Sequence, residues 1–157
     1  MSVCFEPVSP KTADEARAVI LAGLTERFGT LRPEFLADVM GLPESYAVPR
    51  LLLVGLEGSE VVCTGALLPE GENVWRVQRM SVRLDMRRRG LGRATLAALE
   101  AAARARTARR LVLETTADWH SARRLYEAEG FTFLHLERQQ FPNGGGNTVA
   151  HYSKELT

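Results

Sequence analysis

The apolar positions change their period several times along this chain, and each change marks an element. Val3 to Val8 alternates weakly, as a first strand would. Thr12-Ala13-Asp14-Glu15 has capping-box form, in which the Thr12 hydroxyl takes the Glu15 N–H and the Glu15 side chain reaches back. Ala16, Ile20, Leu24 and Phe28 then recur at helical spacing, and Gly29 stands where a left-handed C-cap is wanted. A shorter helix is predicted from Pro33, in its first turn, through Leu36, Val39 and Met40 to a stop before Pro43.

Three strand-like runs follow. Arg50 to Leu56 and Val61 to Leu68 flank Glu57-Gly58-Ser59-Glu60 as a hairpin, and after Pro69 to Asn73 the third run is Val74 to Val82. Gly90 to Thr107 reads as a helix, with Leu91, Ala94, Ala98, Ala102 and Ala105 on one face and Arg93, Glu100 and Arg104 opposite. Leu111-Val112-Leu113 is a short buried strand, and Trp119 to Glu129 is a helix ended by Gly130. Phe131 to Leu136 and Thr148 to Ser153 are two last strands around a flexible turn, Asn143-Gly144-Gly145-Gly146-Asn147. With no repeat and no linker, the order βααβββαβαββ is a mixed α/β pattern in one domain, residues 1–157.

Composition narrows the function classes. The 157 residues are enough for one core, and a net charge of +1 argues against a nucleic-acid coat or a polybasic membrane binder. Cys4 and Cys63 are too few for a disulfide framework, and without a CxxC pair no metal is expected. The start, MSVCFEPVSP, has no basic segment before an apolar core, so a cytoplasmic protein is expected. Apolar runs such as 51–56 fall far below the ~20 residues of a membrane span, so no membrane partner is expected.

Charge is concentrated in one place. Between positions 83 and 93 five arginines stand against Asp85 alone, a local charge of +4 just where a strand gives way to a helix. A helix N-terminus presents unpaired N–H groups and a partial positive charge, which suits a phosphate. Gly90 and Gly92 remove the Cβ atoms that would keep a ligand from the backbone. A multiply charged phosphate ligand is favoured over a carboxylate. Gly90-Leu91-Gly92-Arg93-Ala94-Thr95 lacks the third glycine of a dinucleotide fingerprint, and there is no GK[ST] of a P-loop.

Two segments together resemble the GNAT superfamily of N-acetyltransferases. "VQRMSVRLDMRRRGLGRATLAALE" is similar to the family's strand and Met-x-Val-like triplet followed by [QR]-x-x-G-x-[GA], here Arg87-Arg88-Arg89-Gly90-Leu91-Gly92. "LVLETTADWHSARRLYEAEGF" resembles the family's strand and Ala-x-x-x-Tyr-x-x-x-Gly-Phe, here Ala122, Tyr126, Gly130 and Phe131. The resemblance implies a mixed, mostly antiparallel central sheet with flanking helices and two splayed central strands. It implies acetyl-CoA or another short acyl-CoA as cosubstrate, with the N–H groups from Arg88 to Ala94 on the pyrophosphate and the arginine side chains, Arg87, Arg88, Arg89 and Arg93, on phosphate. Met80, Ser81 and Val82, on a bulged strand, would bond the pantetheine amides as a false neighbouring strand and polarise the thioester. Tyr126 falls where a phenol protonates the departing sulfur, although it also shares an apolar face with Ala122 and Leu125.

Two positions depart from the family's pattern. Val74 to Arg79 contains no carboxylate where many members carry a glutamate base, and Trp119 stands where an asparagine often bonds the cofactor arm. The base is therefore sought among Glu114, His120, His151 and Glu72, with Glu114 equally able to serve in a structural ion pair. His135 has no expected role, and Cys63 reads as a small buried residue. Trp75 and Tyr46 either pack or line an acceptor pocket. The leading expectation is acetyl transfer from acetyl-CoA to a primary amine of a small molecule or peptide. A non-catalytic acyl-CoA-binding module is the alternative, a nucleic-acid contact through Arg83 to Arg93 lacks supporting aromatic and basic partners, and a homodimer is left open. The acceptor is expected against residues 29–49 and 141–147, where mixed charge gives no direction.

Overall fold

Seven strands form one sheet in the order β1-β2-β3-β4-β5-β7-β6 in a computed structural model that describes residues 2–140 and 146–156. Residues 143–145 of the expected glycine turn lie outside the described residues. The strands are β1 (Cys4–Pro7), β2 (Leu51–Glu57), β3 (Glu60–Gly71), β4 (Val74–Val82), β5 (Arg110–Thr116), β6 (Thr132–Gln140) and β7 (Gly146–Glu155). The helices are α1 (Ala13–Phe28), α2 (Ala37–Met40), α3 (Leu91–Ala105) and α4 (His120–Ala128). This is the predicted element order. No helix among the described residues is long and apolar enough to cross a membrane.

Leu51 to Val54 is an uninterrupted buried run because β2 is covered on both faces. Leu52 and Val54 pack with Ile20 of α1 and Val39 of α2, whereas Leu51 and Leu53 pack with Leu96 and Leu99 of α3. Gly65 of β3 allows α3 this close: a Cβ there would lie 2.6 Å from Thr95 Cγ2 and 2.8 Å from Leu99 Cδ1.

Several local expectations are corrected. The capping box does not form. Thr12 Oγ1 instead accepts the Ser9 N–H at 3.0 Å, and Glu15 crosses to the sheet, where its carboxylate accepts the Val61 N–H at 2.9 Å. The helix expected from Pro33 splits into a 3-10 turn (Pro33–Phe35) and the four residues of α2, and Met40 is exposed. The segment from Pro69 extends β3 to Gly71, and Asn73, at φ +60°, makes the turn; asparagine tolerates that left-handed region. The buried face of α3 is Leu91, Thr95, Leu96, Leu99 and Ala103, with Ala105 exposed and Ala94, Ala98 and Ala102 at the margin. The larger side chains take the face towards the sheet, so the alanine stripe is displaced sideways. β5 is longer than Leu111–Leu113 because β7 pairs with all seven of its residues, which places Glu114 inside the strand rather than after it.

One irregularity creates the site. All neighbouring strands are antiparallel except β4 and β5, which pair in parallel only over Val74–Arg76 and Arg110–Val112. Beyond Arg76 the two strands part, and the β5-facing edge of β4 from Val77 to Val82 has no strand partner. β4 also bulges: Gln78 faces Ala66 and Ser81 faces Thr64, so Arg79 and Met80 both stand opposite Gly65. Arg79 sits at φ +53°, and the Thr64 hydroxyl donates to its carbonyl at 2.8 Å, holding the bulge. The splay and the bulge implied by the family resemblance are both present.

Candidate active site

The parted strands open two adjoining clefts. The larger, 550 Å³, runs between α1, the end of β4, the start of α3 and α4, and the smaller, 370 Å³, lies between β4 and β5 under α1. Leu24, Phe28, Met80, Ser81, Trp119 and Tyr126 line both, so the clefts meet at the β4 bulge beside Tyr126. α1 lies close over this junction because Gly23 has no side chain; a Cβ there would come within 3.0 Å of Ser81 Oγ.

The larger cleft gathers most of the residues expected to hold a phosphate ligand. Met80, Ser81, Val82, Arg87, Arg88, Gly90, Leu91, Gly92 and Arg93 line it. Gly90, at φ +75°, is the left-handed N-cap of α3, and the first N–H groups of that helix point out of its end. Ala94 is a correction: its N–H already donates to the Gly90 carbonyl at 3.0 Å, so the available donors stop at Arg93. Arg89 does not line the cleft, and its guanidinium lies 3.9 Å from Glu57.

The local charge of +4 is also smaller in space than along the chain. Arg87 pairs with Glu26 at 2.7 Å, Arg93 with Glu129 at 2.9 Å, and Arg83 with Asp85 and Glu60. Apart from Asp85, already counted, these acids come from α1, the hairpin and the end of α4, where no count within 83–93 includes them. Arg88, itself at φ +64°, has no hydrogen bond or ion pair among the described residues and lines the cleft.

Tyr126 is buried at the junction, its ring edge-on to Phe131 and tilted against Tyr152. Burial alone pushes its phenol up to about 12. The hydroxyl has no hydrogen-bond partner among the described residues, which leaves it able to donate to something in the cleft.

The smaller cleft carries one carboxylate in its wall, Glu114. Gln139 Nε2 donates to Glu114 at 2.8 Å and to Glu137 at 2.9 Å. His151 Nε2 lies 2.7 Å from Glu137 and 3.5 Å from Glu114, with His135 stacked on it at 4.6 Å. Glu114, Glu137 and His151 are a set whose ligand atoms gather within 4.8 Å, and within it the hydrogen-bonding needs are met by Gln139 and by one another. His120, the first residue of α4, is exposed and lines neither cleft, and Glu72 lies in the β3–β4 turn at the closed end of the seam. Trp75 and Tyr46 do not line the clefts either. Trp75 belongs to the core beneath α3, and Tyr46 to the core beneath α1.

A network that no motif announces supports the bulge. Arg79 donates to both oxygens of Asp38, at 2.9 and 2.8 Å, and to the Phe35 carbonyl at 2.9 Å. Tyr46 donates to Asp38 at 2.5 Å and accepts from Gln78 Nε2 at 2.9 Å. Burial pushes Asp38 up, but the Arg79 and Tyr46 bonds outweigh it and hold the carboxyl below its ordinary value. Burial and the Asp38 charge both push the Tyr46 phenol up. No sequence pattern marks it: Arg79 is one of two arginines in β4, and its partner is 41 positions away.

A lowered folded-state pKa adds stability above the unfolded value, and that stability is lost as pH falls through the folded value. Asp38→Asn is therefore expected to cost on the order of 2–3 kcal/mol at neutral pH, somewhat under a fully buried pair. The difference from the parent should shrink as pH falls below about 4, the ordinary carboxyl range, and on through the parent's lowered value. Urea midpoints of both proteins across pH check this.

The fold has clear counterparts among known proteins. The family model described as the acetyltransferase (GNAT) family matches residues 24–131. No curated protein matches the chain in sequence. Among solved structures, an N-acetyltransferase from Staphylococcus aureus superposes with a TM-score of 0.85 at 14% identity, covering 100% of both chains. A ribosomal-protein-alanine N-acetyltransferase from Brucella melitensis gives 0.83 at 18% identity, over 98% of this chain and 99% of that one. A GNAT-family acetyltransferase from Staphylococcus aureus gives 0.82 at 17% identity, over 99% and 100%. With the family model spanning both motif segments and the splayed, bulged strand that opens the first of them, the chain belongs to the GNAT family of acetyltransferases.

Proposed function

We propose that this protein transfers the acetyl group of acetyl-CoA to a primary amine by direct attack while both are bound. The carrying observation is the meeting of two clefts at Met80, Ser81 and Tyr126, one opening on the α3 N-terminus and the other on Glu114. The larger cleft fits acetyl-CoA: it combines a glycine-lined helix end, the Arg88 guanidinium and an unpartnered strand edge. When bound there, acetyl-CoA supplies a thioester whose acetyl carbon is the electrophile.

The protein's own residues then have separable roles. Gly90 to Arg93 hold the pyrophosphate through backbone N–H groups, and Arg87, Arg88 and Arg93 add positive field. The free edge of β4 at Met80 to Val82 bonds the pantetheine arm and offers an N–H to the carbonyl oxygen as charge grows on it. Tyr126 donates a hydrogen bond to the departing sulfur. A phenol at about 12 is a weaker acid than a thiol at ~8.5, so it stabilises the thiolate while keeping its own proton. Glu114, the cleft-facing carboxylate, takes the ammonium proton directly or through water. The balance is one N–C bond made, one C–S bond broken, and two protons lost by the ammonium nitrogen: one before attack to Glu114 or water, one after it, of which one ends on the thiolate and the other is released to solvent.

Release of free thiol from acetyl-CoA with an amine panel tests the reaction, and binding without release would favour a non-catalytic acyl-CoA module. An alkyl amine is almost wholly ammonium at neutral pH, its pKa lying near ~10. Under limiting amine the rate should therefore keep rising with pH towards the amine's own pKa. An inflection at about pH 6–7 that disappears in His151→Ala or His120→Ala would move the base to an imidazole.

A further inference from the structure

The smaller cleft has an unusual charge arrangement for a site that must admit an amine. Two guanidiniums, Arg76 and Arg79, stand in its wall. Neither is available. Arg79 is held by both oxygens of Asp38 and by the Phe35 carbonyl. Arg76 is held by both oxygens of Glu70, at 2.6 and 3.1 Å, and also feels the charge of Glu114. A third arginine at the mouth, Arg27, donates to Thr116 and to Asp118 and covers one face of Trp119. Among the described residues each of these three cations is thus matched by a carboxylate, and Glu114 remains as the negative charge in the wall.

Apart from neutral polar groups such as Gln78, Thr115, Thr116 and Gln139, the rest of the lining is apolar. Ile20, Leu24 and Phe28 of α1, Phe35 of the 3-10 turn, Val77 and Trp119 surround a space of 370 Å³. That is near the lower end for a small-molecule site, about 300–1,000 Å³. A carboxylate entering it would leave water for largely apolar and aromatic walls, meet Glu114, and find no unpaired cation among the described residues. An ammonium group on an apolar body meets the opposite conditions: a carboxylate at one end and aromatic faces around it.

We infer that the acceptor is an arylalkylamine, a primary amine on a compact aromatic body with no carboxylate, and that the matched arginines exclude the corresponding free amino acid. This rests on the acetyltransferase reading above. The arginines' partners, rather than a steric wall, carry the selectivity, because a free guanidinium at Arg76 would be well placed to receive a carboxylate.

The test compares thiol release from acetyl-CoA with 2-phenylethylamine, phenylalanine, and a short peptide with a free N-terminal alanine. The amine should exceed phenylalanine in kcat/KM by about 100-fold or more, as for a site that leaves a buried charge unpaired. Glu70→Gln frees the Arg76 guanidinium, and Glu70 itself lies outside the cleft lining. That variant should raise kcat/KM for phenylalanine by roughly 5- to 10-fold, the size of one partly exposed charge-assisted contact, and leave 2-phenylethylamine within about twofold. Phenylalanine or the peptide turned over as well as the amine, or a Glu70→Gln protein with an unchanged ratio, overturns the inference and leaves the acetyltransferase reading standing. No thiol release with any acceptor, while acetyl-CoA binds by calorimetry, overturns that reading and this inference with it.

Discussion

Gly92→Asp is expected to reduce acetyl-CoA affinity by at least about 100-fold, because like charges forced together at a binding surface cost several kcal/mol. Gly92 is the second residue of α3, inside the turn whose N–H groups face the larger cleft. A carboxylate there would stand against the pyrophosphate. The fold should tolerate it, since an acidic residue in the first turn is favourable to a helix dipole. The new Cβ would meet only the end of the Leu125 side chain, at 3.1 Å, which has room to give by a few tenths of an ångström. Gly90 is a less clean position, since at φ +75° any side chain adds backbone strain. Calorimetric titration reads the affinity, and the urea midpoint reads the fold. Unchanged affinity would remove the α3 N-terminus from the binding site. The parent's affinity should also weaken with salt, as expected where several charges converge.

Tyr126→Phe is expected to lower kcat by about 10- to 1000-fold with little change in acetyl-CoA affinity, as for the loss of one hydrogen-bond donor aimed at charge that develops in the transition state. The substitution keeps the ring that packs on Phe131 and Tyr152. It removes a hydroxyl that has no hydrogen-bond partner among the described residues, so no buried group is left orphaned. Stability should therefore hardly move, and a fall in kcat would report on the leaving sulfur alone. A variant as fast as the parent would assign Tyr126 to packing.

The two motif segments were legible because each is local: Arg87 to Gly92 builds its own turn, and Ala122 to Phe131 its own helix and stop. The element order followed from period changes for the same reason. What escaped was set by contacts between distant segments. Glu15 looked like a capping residue, but the Val61 N–H on β3 is a competing donor for its carboxylate that no four-residue window contains. The α3 face was misread because alanine spacing and leucine spacing differ by one position, and volume decides which face meets a sheet. The arginine count overstated the field because Glu26, Glu57, Glu60 and Glu129 arrive from other elements. Asp38, Arg79 and Tyr46 had no signature at all, since their partnership exists only after α2 is laid against the bulge.

The three-residue seam between β4 and β5 has a consequence for cooperativity. On one side stand β1 to β4 with α1 to α3, and on the other β5 to β7 with α4, each with its own continuous ladder. Only Val74–Arg76 and Arg110–Val112 join the two ladders directly, and the core beneath α3 and α4 supplies the rest. Such a joint is where a native protein opens first, exposing amides to exchange without unfolding globally. A molecule lying along the free edge of β4 substitutes for the missing strand, so its occupancy and the protection of those amides become one quantity. A cosubstrate bound as proposed would be, for as long as it stays, an eighth strand.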